Sequence, residues 1–164
     1  KNWGSDFTSP LVWLSSNDLI SRKTGKRLLN SGFEVGGGNR KEFGISLGRK
    51  LLGQFYYEGS DYEFNFSKFW TGSRTKFMCF ETEKHIVWKV IQTTRTAKMT
   101  VKIVCEKEEM ICINYGYKRH TYLWNCGNGK GMVKLYERRK QEWVLVDEVW
   151  ARHVGCEYGE YGSK

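Results

Sequence analysis

From residue 54 onward, runs of five to nine residues alternate apolar with polar or charged side chains, and short turn signals separate the runs. This two-residue period limits the fold most, because successive side chains point to opposite faces only in a β-strand. "QFYYEGSDYEFNF" places a turn at Glu58-Gly59-Ser60-Asp61 between Phe55 to Tyr57 and the alternating Tyr62, Phe64 and Phe66, which reads as a hairpin. "KFMCFE" and "HIVWKVIQ" follow, joined by Thr82-Glu83-Lys84. In the next run Met99, Val101, Ile103 and Cys105 share one face, and Lys98, Thr100 and Lys102 share the other. "GMVKLYER", "RKQE" and "WVLVDEVW" repeat the strand–turn–strand pattern.

About eight to ten short strands at turn spacings of 8 to 12 residues predict an all-β fold. The first choice is an antiparallel, jelly-roll-like β-sandwich, and the second is a closed calycin-like barrel. One proline (Pro10) and no Pro- or Ser-rich linker predict a single domain over residues 1–164. The first third is less regular. It offers an apolar run at 11–14, a short helix after Ser16-Asn17-Asp18, and, over 39–52, either a helix weakened by Gly44 and Gly48 or a strand pair.

No stretch reaches the roughly 18 consecutive apolar residues of a membrane-spanning helix. No signal-peptide pattern is visible, as in a mature chain that has lost one.

Charge is the next constraint. Twenty-seven Lys and Arg against 18 Asp and Glu give a net +9, which favours anionic partners such as acidic glycans, phosphate backbones or acidic lipid surfaces. The excess is uneven. Residues 84 to 102 hold Lys84, Lys89, Arg95, Lys98 and Lys102 and no acid. Residues 117 to 140 hold seven cations against Glu137 alone, interleaved with Tyr117, Tyr122, Trp124 and Tyr136. Eight of the seventeen residues from 54 to 70 are aromatic, more than one sheet face buries, so some rings are expected at the surface. Trp13, Trp88, Trp143 and Trp150 read as core, whereas Trp70 and Trp124 stand among loop-forming residues. The candidate ligand-binding set is therefore Trp70, Arg95, Lys98, Lys102, Tyr117, Lys118, Arg119, Tyr122 and Trp124.

Catalytic motifs are not legible. His85, His120 and His153 stand among aromatic or aliphatic neighbours, and acids are scattered or beside lysines. "GGGNRK" at 36–41 and "GNGKG" at 127–131 lack the phosphate-loop pattern and are expected as hairpin turns.

Cysteines stand at 79, 105, 112, 126 and 156, with no C-x-x-C and no histidine pair at ligand spacing, so no metal site or cofactor is expected. Cys105 and Cys112 are expected as diagonal neighbours in one hairpin, both core thiols. Cys126 and Cys156, in Gly-rich segments expected to be exposed, are the candidates for a disulfide. With the sequon Asn65-Phe66-Ser67, these features suggest an extracellular, glycosylated protein.

The function expected is a non-enzymatic, lectin-like module that recognises carbohydrate, specifically acidic glycans. It would use loop aromatics and a basic sheet face. The alternatives are a nucleic-acid-binding or capsid-type jelly roll, and a small secreted effector or toxin that binds a protein or membrane surface.

Overall fold

Alternation becomes strand along nearly the whole chain. The computed structural model describes residues 11–42, 45–114 and 122–159. Twelve strands form one antiparallel sheet: β1 (Leu11–Ser16), β2 (Asp18–Ser21), β3 (Arg27–Leu28), β4 (Ser31–Glu42), β5 (Ile45–Tyr57), β6 (Ser60–Phe64), β7 (Arg74–Glu81), β8 (His85–Thr93), β9 (Ala97–Glu106), β10 (Ile111–Asn114), β11 (Tyr122–Arg139) and β12 (Glu142–Gly159). The described residues include no α-helix, only single 3₁₀ turns at Phe69–Thr71 and Lys107–Glu109. The all-β antiparallel fold expected from the alternation is the fold observed.

The strand order is β6-β5-β4-β1-β12-β11-β9-β8-β7. The two 18-residue strands β11 and β12 form its spine, and each is flanked by two shorter segments. Along β12, β1 pairs with the 155–159 end and β2 with 149–152. Along β11, β10 pairs with 122–125 and β9 with 130–137. Register shifts between Cys126 and Gly129, Gly129 and Gly131, and Leu135 and Tyr136 bend the spine, as β-bulges do. Gly131 is required there, because a Cβ would stand 1.9 Å from the Lys102 carbonyl oxygen.

The bent sheet curls into a half-barrel whose two walls face each other. Trp88, Phe55, Phe64, Leu14, Leu19, Leu51, Met99, Ile103 and Leu135 fill the space between them, all fully buried. Each such side chain contributes roughly 1.5–3 kcal/mol. Polar ties also cross the interior. Gln92 Nε2 on β8 donates to the Leu51 carbonyl on β5 at 3.0 Å, and Gly53 lies so close that a Cβ would overlap the Gln92 amide oxygen.

Several local expectations change. Residues 18–21 form a strand rather than a helix. Of the two readings of 39–52, the strand pair is the one observed, with 39–42 in β4 and 45–52 in β5. "GGGNRK" and "GNGKG" lie inside β4 and β11 rather than at hairpin turns, since both are bent, paired strand segments. β10 returns along β11 and not along β9, because the 3₁₀ turn at 107–109 sends the chain onward instead of back. Cys112 is therefore exposed while Cys105 is buried. Cys126 and Cys156 are buried register partners on β11 and β12, and no disulfide joins them. Among the tryptophans expected in the core, Trp88 is fully buried, Trp13 and Trp143 are half-buried, and Trp150 is exposed on the outer side of β12.

Candidate anion-binding face and cleft

The β8–β9 hairpin sets the geometry. Its connection, Thr94-Arg95-Thr96, is closed by the Thr94 amide donating to the Ala97 carbonyl at 2.8 Å. The Thr94 hydroxyl oxygen accepts the Ala97 amide at 3.0 Å. This side-chain-to-backbone turn is what threonine at a loop start supplies. It leaves Arg95 exposed at the tip, where its backbone amide donates to the Thr71 carbonyl at 3.0 Å. The hairpin tip is thereby tied to the 3₁₀ turn that carries Trp70.

Register then aligns side chains across strands. Thr93 pairs with Lys98 and with Arg74, and Lys98 pairs with Tyr136. Ile91 pairs with Thr100 and Lys76, and Thr100 with Lys134. Lys89 pairs with Lys102 and Met78, and Lys102 with Met132. The inward partners Met99, Val101 and Ile103 are buried, so these three rows form the solvent side of β7, β8, β9 and β11. The face thus carries Arg74, Lys76, Lys89, Lys98, Lys102 and Lys134, and Arg138 extends it toward the end of β11.

Lys134 pairs with Glu148 at 3.3 Å. Among the described residues, Arg74, Lys76, Lys89, Arg95, Lys98, Lys102 and Arg138 have no carboxylate at ion-pair distance. Lys89 opposite Lys102 is a like-charge cross-strand pair, which is destabilising until a counter-charge binds.

At the hairpin end the face opens into a cleft of about 450 Å³ lined by Gly72, Arg74, Thr93, Thr94, Arg95, Arg138 and Trp143. Arg74, Arg95 and Arg138 all line it. Guanidinium forks match the paired oxygens of carboxylate, sulfate and phosphate. The ring faces on this side are occupied by cations: Lys98 Nζ lies 4.0 Å from the Tyr136 centroid and 5.2 Å from that of Trp143, and Arg138 lies 5.7 Å from Trp143. Beside the cleft, Trp70 is 59% exposed and packs edge-on against Phe69, 83% exposed, with ring centroids 5.2 Å apart.

Of the residues singled out in the sequence, Trp70, Arg95, Lys98 and Lys102 come together on this face and its cleft. Trp124 is exposed on β11 opposite Cys112 and Tyr158, beyond the bulges and away from the cleft. It sits in a strand rather than a loop. Tyr122 starts β11 opposite Asn114. Tyr117, Lys118 and Arg119 lie outside the described residues. Arg74, Arg138 and Trp143 were not in the candidate set. The signal for Arg74 lay in extending the register from Lys98 through Thr93 to the neighbouring hairpin. Arg138 and Trp143 flank the β11–β12 turn, and pairing across that turn brings them together. No family model, curated protein or solved structure matches this chain.

Proposed function

We propose that this chain is a secreted, non-enzymatic binding module for acidic glycans, taking a sulfate or carboxylate in the three-arginine cleft and the following sugar units along the Lys98–Lys102 face. The placement of Arg74, Arg95 and Arg138 around one cleft, with no carboxylate at ion-pair distance among the described residues, carries this reading, because arginines that line one cleft are stabilised by an anion held between them. Thr93 adds a hydroxyl at the cleft wall, suited to a sugar hydroxyl, while the Thr94 hydroxyl is engaged in the turn. The exposed Trp70 and Phe69 rings offer a platform for a sugar's C–H face. The cleft's lining groups are hydrogen-bond donors and one ring, an inventory that serves binding better than bond cleavage. Asn65, whose carboxamide oxygen accepts the Ser67 amide at 2.9 Å, lies in the half-exposed segment after β6, where a glycan can be attached.

A nucleic-acid ligand would use the same cations, but single strands also need open ring faces on which bases stack. On the sheet face Tyr136 and Trp143 are already covered by Lys98 and Arg138, which confines base stacking to the Trp70 and Phe69 rings beside the cleft and favours the glycan.

The test is a binding titration with a defined sulfated oligosaccharide, its desulfated counterpart and a single-stranded oligonucleotide of matched charge. The sulfated sugar should bind best, and Arg95→Ala and Arg138→Ala should each weaken it at least ten-fold. Equal affinity for the desulfated sugar, or no effect of either substitution, would sink the proposal. Preference for the oligonucleotide would replace glycan with nucleic acid as the ligand.

A further inference from the structure

The bulges of β11 gather a second group of side chains, away from the basic face. Cys105 ends the inner row of β9, Glu109 closes the 3₁₀ turn that follows it, and Cys126 faces them from β11. Their ligand atoms, two thiol sulfurs and a carboxylate oxygen, all lie within 4.8 Å of one another. The sulfurs are buried and the carboxylate is exposed, so the group has a dry floor and an open mouth.

Asn128 touches two of the three. Its backbone N–H donates to Cys126 Sγ at 3.2 Å, and its side-chain amide donates to Glu109 Oε1 at 2.7 Å. Behind Cys126 stands its register partner Cys156, also buried. Gly129 gives the Cys156 sulfur its space, since a Cβ there would lie 2.4 Å from it. Buried thiols alone are ordinary core residues. A carboxylate held against two of them by a dedicated amide is not something packing requires.

We infer that Cys105, Cys126 and Glu109 form a zinc site, with Asn128 as the residue that orients two of its ligands and the fourth position open to solvent. Two thiolates and one carboxylate suit a borderline ion such as Zn²⁺, whereas the oxygen ligand disfavours Cu⁺. Sulfur ligands of tetrahedral zinc stand roughly 3.8 Å apart, given Zn–S bonds of about 2.3 Å. The present group, with its ligand atoms within 4.8 Å of one another, needs only small side-chain adjustments to reach that geometry. On binding, the two thiol protons leave to solvent, Cys105 and Cys126 become thiolates, and Glu109 supplies a carboxylate oxygen. The Asn128 N–H then donates to a thiolate and its amide to a ligating carboxylate, the outer-shell contacts that tune metal affinity. Such a site would clamp the end of β9 to the bulged part of β11.

The test uses the full chain, reduced and stripped of metal. Co²⁺ is titrated as a spectroscopic probe and Zn²⁺ is then added to displace it, with far-UV circular dichroism confirming that each variant is folded. One Co²⁺ per chain should bind with sulfur-to-cobalt charge-transfer bands, and Zn²⁺ should remove them. Cys105→Ser and Cys126→Ser should abolish the bands, and Asn128→Ala should weaken binding 10- to 100-fold. Glu109→Gln changes an exposed residue, so it should fold and still lose at least ten-fold in affinity. Cys112→Ser, outside the group, should bind as the unmodified chain does. Absence of micromolar binding, bands that persist in Cys105→Ser, or full affinity in Glu109→Gln would overturn the inference.

Discussion

Tyr62 on β6 donates a 2.7 Å hydrogen bond to Glu137 on β11, although four strands separate β6 from β11 along the sheet. Tyr57 makes the equivalent reach from β5 to the buried Asp147 on β12, at 3.1 Å. These two bonds cross the interior of the half-barrel and tie one wall to the other. Burial first, and the adjoining carboxylate second, push both phenols up to about 12. A phenol whose proton is held more tightly in the folded state stabilises that state fully below the unfolded value of about 10, and the benefit disappears as pH rises to about 12. Urea midpoints should therefore fall steeply between pH 10 and 12. In Tyr57→Phe and Tyr62→Phe the fall should be shallower, with lower stability at pH 8.

Acid should expose a different tie. Asp18 on β2 is buried and accepts hydrogen bonds from His153, at 2.7 Å, and Arg152, at 3.1 Å, with Arg27 3.3 Å away. The His153 hydrogen bond and then the Arg152 contact hold its carboxyl below the usual range. A depressed carboxyl contributes stability above the unfolded value of about 3.9 that is lost as pH falls through the folded value. Asp18→Asn should cost roughly 1.5–3 kcal/mol at neutral pH, the range for hydrogen bonds to a charged group. It should also flatten the stability profile below pH 4. An unchanged acid limb would mean that the Asp18 contacts are not what acid breaks.

Glycine positions give a sharper test of the bulged spine. At Gly131 a Cβ would collide with backbone, the Lys102 carbonyl carbon and oxygen, which cannot rotate aside. At Gly127, four residues earlier in the same strand, a Cβ meets nothing within 4 Å. Gly131→Ala should lose about 1–3 kcal/mol or more through overpacking, while Gly127→Ala should change stability by less than about 0.5 kcal/mol. Chemical denaturation of the two variants compares them directly. Equal stability would mean that β11 shifts away from Lys102 to accommodate the methyl group.

How far the sequence reaches depends on distance along the chain. The β7–β8, β8–β9 and β11–β12 pairings are legible because each turn is local and alternation fixes which face is buried. That placed Lys98 and Lys102 on an outer face and Met99, Val101 and Ile103 inside, as observed. The bends were not legible. Glycines in "GNGKG" carry turn chemistry, but here they permit close approach of Lys102 and Cys156 inside a bulged strand, a requirement set by a neighbour about 30 residues away. The same non-local effect hid the thiol group. Cys105, Glu109 and Cys126 follow no short metal-binding spacing, because β9, the 3₁₀ turn and β11 bring them together in space. The course of β10 turned on three residues, Lys107–Glu109, that form a 3₁₀ turn in place of a two-residue loop.

The final prediction separates charge from stacking on the basic face. Each lysine that neutralises an anionic group releases a counterion, so log affinity should fall linearly with log salt for a sulfated glycan. Removing Lys89 or Lys102, which face each other without carboxylate partners among the described residues, should shallow that slope by about one each. Relief of their mutual repulsion should leave folding stability unchanged or slightly higher. Trp70→Ala should behave otherwise. Loss of a stacked ring weakens binding by roughly 1–3 kcal/mol and leaves the slope nearly as it was. Trp124→Ala is the internal control, because its exposed ring lies on the far side of the β11 bulges and should leave both affinity and slope unchanged. Titrating the four variants at several salt concentrations distinguishes these outcomes. If Trp124→Ala weakens binding as much as Trp70→Ala does, the ligand runs along β11 rather than over the three-arginine cleft, and the proposed site must move.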